Sequence, residues 1–301
     1  MSQDQQSIAI LYPEPERRRQ TVGSVAGRLG RFARRKPLGA FGGLVVLLLI
    51  ITAALAPVVS THSPNTQTAN TLATPSSEHL LGTDRFGRDI FTRTLYGARI
   101  SLWVGIVALS IGVGVGTVLA LLSGYFGGLV DNVIQRVMDS ILAFPWLVLA
   151  LLIVSVLGNT LTNVMIAIGI LFVPNTARVV RSAVLSIREE AYIDAARTVG
   201  CSDLRIMTRH ILPNVLAPII ILVTVGLGAA IIVEASLSFL GLGTPAPAAS
   251  WGRDLNDTRA YWYSSPHVFW PPTIAISLAV FGFNLLGDAL RDELDPRLRG
   301  R

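Results

Sequence analysis

A chain of 301 residues that is 51% hydrophobic and only 15% charged carries more apolar surface than a soluble domain of this size buries. Its net charge of +6 rests on arginine, with Lys36 the only lysine, and the arginines stand beside apolar runs, a pattern of membrane orientation and not of nucleic-acid binding. A single cysteine (Cys201) excludes an intrachain disulfide, and the absence of a Walker A or HExxH pattern excludes P-loop ATPase and zinc-protease chemistry in this chain.

Residues 1–37 form a polar tail with Arg17, Arg18, Arg19, Arg28, Arg31, Arg34, Arg35 and Lys36, expected in the cytoplasm beside anionic headgroups. Leu38–Val59 is uncharged and 22 residues long, matching the about 20 helical residues that cross a ~30 Å hydrocarbon layer. Ala54-Leu55-Ala56 resembles a signal-peptide processing site, but the apolar run is too long and the basic tail too extended, so an uncleaved anchor is expected. Residues 60–99 read as an external segment. Ser60–His79 is a flexible loop rich in Ser, Thr, Pro and Asn. Gly82, Asp84, Arg85, Gly87, Arg88 and Asp89 then predict a compact charged turn, and Ile90, Phe91 and Leu95 a short interfacial helix.

A five-helix core is expected over residues 100–288. Ile100–Ser123 is the second span, and its Ser101, Gly105, Gly112 and Gly116 let helix backbones approach closely. Gly124–Asp139 returns the chain to the membrane on the cytoplasmic side. Ser140–Ala177 is uncharged but too long for one helix. The Gly158-Asn159 pair divides it into spans at about 141–157 and 161–180, with Pro145 and Pro174 as caps or kinks.

Arg188–Asn214 follows and cannot lie in lipid, because it carries Arg188, Glu189, Glu190, Asp194, Arg197, Asp203, Arg205 and Arg209. Ala191, Ala195 and Val199 at i, i+4, i+8 predict a helix with one small, close-packing face. Gly200 ends it, since glycine takes positive φ without steric cost, and Ser202 is placed to N-cap a second short helix bearing Leu204 and Met207. The expected product is a helical hairpin with an apolar knob at its bend.

Val215–Val233 is the fifth span. Glu234, with Ser236 and Ser238, has two readings: an intramembrane carboxylate at a gate, or a span-end residue satisfied by those serines. An uncharged stretch broken by Gly and Pro comes next, then a polar external loop whose Trp251, Tyr261, Trp262 and Tyr263 are expected at the membrane interface. Val268–Gly287 is the sixth span, and residues 289–301 form a charged cytoplasmic tail. With both termini inside, 19 basic residues face the cytosol and six (Arg85, Arg88, Arg93, Arg99, Arg253 and Arg259) face outward, as the positive-inside rule requires.

Asp194-Ala195-Ala196, Gly200 and Leu212-Pro213, set within AYIDAARTVG and RHILPN, resemble the EAA loop of ABC importer permeases. The surrounding residues are most similar to the dipeptide/oligopeptide branch, as is the GTD–GRD stretch from Gly82 to Asp89. Two positions depart from the family pattern: its usual Glu is Asp194 here, and its isoleucine two places before the Leu-Pro is His210, with Ile211 beside it. The resemblance implies an all-α integral membrane protein of the type I importer permease fold, with six transmembrane helices and both termini cytoplasmic. It implies one permease subunit in a bacterial inner membrane, forming half of the path for peptides or similar small solutes. The implied partners are a second homologous permease, two ATP-binding subunits that hold the ATP and Mg, and an external solute-binding protein. No cofactor, metal or catalytic residue is expected in this chain. The residues expected to couple to the ATPases are Asp194, Ala195, Ala196, Gly200, Leu204, Met207, Leu212 and Pro213, and Glu234–Gly243 resembles the family segment near the external gate. The competing class is a subunit of a secondary transporter or channel, in which the central loop is merely a linker.

Overall fold

The computed structural model describes residues 33–294. Most of the Arg-rich tail and the end of the C-terminal tail lie outside the described residues. The chain divides at Pro37, and the larger unit, from Leu38 onward, holds all the expected spans. Its regular structure is helical, with one isolated β-bridge, Thr83–Asp89, among the described residues.

Helix α1 (Pro37–Val59) is the first span. It packs on the last helix through two glycines: a Cβ on Gly42 would lie 2.7 Å from Leu285 Cβ and 2.8 Å from Gly282 O, and one on Gly282 would meet Val45 at 2.8 Å. Such backbone approach is the main source of helix affinity where lipid removes the hydrophobic drive.

Helix α2 runs unbroken from Ile90 to Phe126, 37 residues, about 55 Å at 1.5 Å per residue. The interfacial helix expected before Ile100 is therefore the first part of α2 and not a separate element. Asp89 starts it, accepting the Thr92 N–H at 2.7 Å, and nothing between Ile90 and Phe126 breaks the hydrogen-bond ladder. Gly112, Gly116, Ala120 and Gly124 recur every four residues along one face. Against them lies α5 (Leu161–Arg188): added Cβ atoms would meet Phe172 Cβ at 2.6 Å from Gly112, Thr176 Cβ at 2.6 Å from Gly116 and Val184 at 2.7 Å from Gly124. Gly105 faces Leu227 instead, whose Cδ2 would lie 3.3 Å from an added Cβ.

The third span differs from expectation. It consists of two helices, α3 (Gly128–Leu142) and α4 (Trp146–Leu157), meeting at 93°. Pro145 disfavours helical backbone at Phe144, which opens the bend. Alone, the 12 residues of α4 reach only about 18 Å and cannot cross the bilayer. Among the described residues five helices are individually long and apolar enough to span, and the bent pair brings the number to six where it crosses as one broken span. Gly158 (φ +91°) separates α4 from α5 at the predicted break.

After the central loop comes α7 (Leu216–Phe239), followed by α8 (Trp251–Thr258) and α9 (Trp270–Leu294). Helix α7 continues six residues past the expected end at Val233, so Glu234 lies within a helix and not at its end. Trp251, expected at the interface, is 1% exposed; its Nε1–H donates to Thr94 O at 2.9 Å and its ring rests on Gly97. The charged turn locks onto α8 through buried ion pairs. Arg88 bonds Asp84 at 2.6 Å and Asp257 at 3.0 Å, and Arg93 bonds Asp254 at 2.5 Å.

Candidate functional site

The central loop is a built object on a buried footing. Helix α6 (Ala191–Thr198) turns its Ile193 and Ala196 inward, where they join Ile206, Met207, Ile211 and Val215 from the second arm and Ala120, Leu121, Tyr125, Val180 and Val184 from α2 and α5. Burying that cluster fixes the loop to the membrane helices. Gly200, at φ +80°, closes α6: its N–H donates to Arg197 O at 2.9 Å, and the Cys201 N–H to Ala196 O at 3.0 Å. These are the two bonds of a Schellman motif. Ser202 occupies the N-cap position of the second arm, but its hydroxyl makes no capping bond.

That second arm is not one α-helix. A single α turn (Asp203–Arg205) widens into a π-helix (Ile206–Ile211) and tightens into a 3₁₀ turn (Leu212–Val215). Within the widened turn Ile211, and not His210, is fully buried. The residue beside His210 thus provides the apolar contact, and a π turn is the backbone change that shifts register by one residue.

Polar bonds brace the loop from below. The Tyr125 hydroxyl donates to Asp203 Oδ1 at 2.6 Å. Arg188 Nη1 donates to the carbonyls of Gly124 at 3.0 Å and Tyr125 at 3.4 Å, capping orphan acceptors at the end of α2. Arg181 bonds Asp131 at 2.6 Å, tying α5 to α3. Arg197 lies over the Tyr125 ring, 5.6 Å from its centroid, and donates to Asp194 at 2.9 Å. The neighbouring Tyr125, aided by Asp194, holds the Arg197 guanidinium above its ordinary pKa.

What remains facing outward is a coherent patch. Ala191, Tyr192, Asp194, Ala195, Val199, Gly200 and Leu204 are all exposed, with Val199 78% and Leu204 68% accessible. The Ala191–Ala195–Val199 face expected to pack closely is exposed among the described residues. Of the other loop residues singled out in the sequence, Ala196 and Met207 belong to the buried footing, Leu212 is half-buried and Pro213 exposed. Tyr125 and Arg188 escaped sequence reasoning because their partners are 78 and 64 residues away. Ile193 and Ala196 were legible, since their i, i+3 spacing marks a second face of α6.

At the other end of α7, Glu234 is completely buried. Its Oε1 accepts from the hydroxyls of Ser238 at 2.7 Å, Thr244 at 2.8 Å and Ser250 at 2.8 Å, while Ser101 reaches Oε2 at 3.4 Å. The Thr244 N–H donates in turn to Ser238 Oγ at 2.9 Å. Glu234 therefore pins the non-helical segment between Phe239 and Trp251 against α7 and α2. Ser236 takes no part, its hydroxyl bonding Ile232 O at 2.8 Å. Thr244 and Ser250 could not be paired with Glu234 from sequence, because folding of an irregular segment brings them there.

Residues 116–300 match the family of binding-protein-dependent transport system inner membrane components. The chain belongs to that family. It is 46% identical over 267 residues to a dipeptide transport system permease protein of Alkalihalophilus pseudofirmus, covering 88% of each chain. It is 44% identical over 269 residues to a glutathione transport system permease protein of Escherichia coli, covering 89% of each. The fold resembles a chain of the inward-facing MetNI methionine ABC transporter (TM-score 0.51, 18% identity, 67% of this chain and 93% of that one). This family member is thus a multi-pass inner-membrane permease subunit of an ABC importer, and the ATP hydrolysis that drives such importers lies in separate subunits. A secondary transporter or channel is excluded by the same match.

Proposed function

We propose that the chain forms one half of a peptide translocation path, paired with a second, homologous permease and driven by two ATP-binding subunits docked on the central loop. The outward patch of Tyr192, Asp194, Ala195, Val199 and Leu204, held on a buried footing that continues into α2 and α5, carries this reading. An exposed apolar knob on a rigid base is suited to being pushed: force applied at Val199 and Leu204 passes through Ile193, Ile206 and Ile211 to two membrane helices, tilting them between inward- and outward-open states. Asp194, Ala195 and Gly200 shape that surface, Ala196 seats α6 on its footing, and Met207, Leu212 and Pro213 join the loop to α7. The ATP and Mg are held by the partner ATPases.

The dipeptide and glutathione permeases among the relatives support a peptide or similar small solute. Orientation follows from the arginine asymmetry, with the loop and both termini in the cytosol and residues 60–99 outside. Residues 100–288 constitute the importer core and α1 an added flank, while Glu234 holds the external gate segment in place. The test is co-expression with the partner subunits. Wild-type chain should co-purify with the ATPases and support uptake of a labelled dipeptide. Asp194→Lys and Leu204→Asp should abolish both while leaving membrane abundance unchanged; normal uptake in both variants overturns the reading.

A further inference from the structure

We propose that His62, His79 and Asp89 form a zinc-class metal site that clamps the end of α1 to the start of α2. One ligand atom from each residue lies within 4.8 Å of the others, the only such group among the described residues. The two imidazole rings lie 4.7 Å apart between centroids, tilted by 31°, and His79 Nδ1 is 2.9 Å from Asp89 Oδ1.

Two of the three ligands are held in position by the fold. Asp89 is 2% exposed, and its second oxygen accepts the Thr92 N–H at 2.7 Å, which fixes the carboxylate plane. His79 is 4% exposed, and its backbone is held on both sides: its N–H donates to Ser76 Oγ at 3.1 Å, and its carbonyl accepts from Ser76 and Gly82 N–H groups at 2.8 and 2.9 Å. His62 is the adaptable member. It is half-buried, and among the described residues its one polar contact is Thr61 Oγ1 at 2.8 Å.

Two neutral imidazoles and one carboxylate are the donor set that suits zinc, leaving a fourth position for water or the Thr61 hydroxyl. Tetrahedral zinc with bonds of about 2.0–2.1 Å places its ligands about 3.4 Å apart. The His79–Asp89 pair is already near that spacing, and a small swing of His62 completes it. If His79 Nδ1 is the ligand, the hydrogen it shares with Asp89 moves to Nε2 of the same ring, so neutral histidine binds without net proton release.

The placement gives the metal a role. His62 lies three residues beyond the last residue of α1, and Asp89 is the N-cap of α2. Zinc would close the long loop between them, and closing a long loop restricts the unfolded chain most. It would anchor the added first helix to the remaining bundle independently of any transport role.

The test uses the full chain in detergent, purified through a histidine-free tag and stripped with chelator. Zn²⁺ titration should give one ion per chain, Co²⁺ should give the intense visible absorption of tetrahedral coordination, and Zn²⁺ should raise the melting temperature. His62→Ala, whose metal-free melting temperature should match wild type, should bind at least about 100-fold more weakly and lose the cobalt spectrum. His267→Ala should bind as wild type does. No stoichiometric binding, equal affinity in His62→Ala, or equal loss in His267→Ala overturns the proposal. His79→Ala gives a second reading: retained binding there also overturns it.

Discussion

A Cβ built on Gly112 would stand 2.6 Å from the Cβ of Phe172, so these two residues bring the backbones of α2 and α5 as close as helices can pack. The same ridge continues at Gly116 and Gly124, and the long contact between α2 and α5 is the spine on which the central loop rests. Gly112 and Gly116 thus pack within this chain, not against another subunit.

Enlarging Gly112 to Ala or Leu forces the spine apart and should destabilise the bundle by about 1–3 kcal/mol, read as lower thermal survival in detergent. Gly114, two residues away, has no atom within 4 Å of an added Cβ, and Gly114→Ala should be silent. Equal effects at the two glycines would contradict the close contact.

At Gly200 the penalty is conformational, because no atom lies within 4 Å of an added Cβ while φ is +80°. Gly200→Ala should cost about 1 kcal/mol and Gly200→Asn less, since asparagine tolerates the left-handed region. Gly200→Val should lower uptake and ATPase association most. Measured uptake in the order Gly, Asn, Ala, Val tests this ranking.

Tyr125→Phe removes the donor to Asp203 and loosens one brace of the loop. Because Asp203 is exposed, water replaces part of the bond, and the loss is about 1 kcal/mol, or about fivefold in amide-exchange protection over residues 203–211. Unchanged exchange would show that the buried footing alone holds the second arm.

Glu234→Ala strands the Ser238, Thr244 and Ser250 hydroxyls and opens a cavity, costing about 1–3 kcal/mol for each donor left unpaired. Glu234→Gln keeps one carbonyl oxygen at the Oε1 position and should retain most of the stability. Protease access to the segment between Phe239 and Trp251 should rise in Ala and not in Gln; the reverse order would contradict a pinning role.

Arg93 is 1% exposed and paired with Asp254, which is partly buried, so Arg93→Ala removes the cation from a carboxylate with little access to water, at a cost of about 1–3 kcal/mol. The double variant Arg93→Ala/Asp254→Ala should recover part of that loss in melting temperature. A double variant no better than the single would show that the pair does not act as a unit.

Much of this protein was determined by its sequence alone. Uncharged runs of bilayer length specify spans, because a backbone in lipid must satisfy its own hydrogen bonds. Eight charges between two such runs specify a loop outside lipid, and Gly200 specifies where that loop turns. Other features needed the tertiary structure. The 93° break before α4 depends on how Pro145 is accommodated, and the unbroken α2 on α5 covering its glycines. Which face of α6 is buried was set by the apolar side chains of α2, α5 and the second arm, which cover Ile193 and Ala196 and leave Ala191, Ala195 and Val199 outside. Glu234 acquired its partners from as far away as Ser101, 133 residues earlier. Periodicity and length act along the chain, within a few turns, and are legible there. A buried carboxylate, a braced loop or a glycine ridge is satisfied across the bundle, by residues whose nearness exists only after folding.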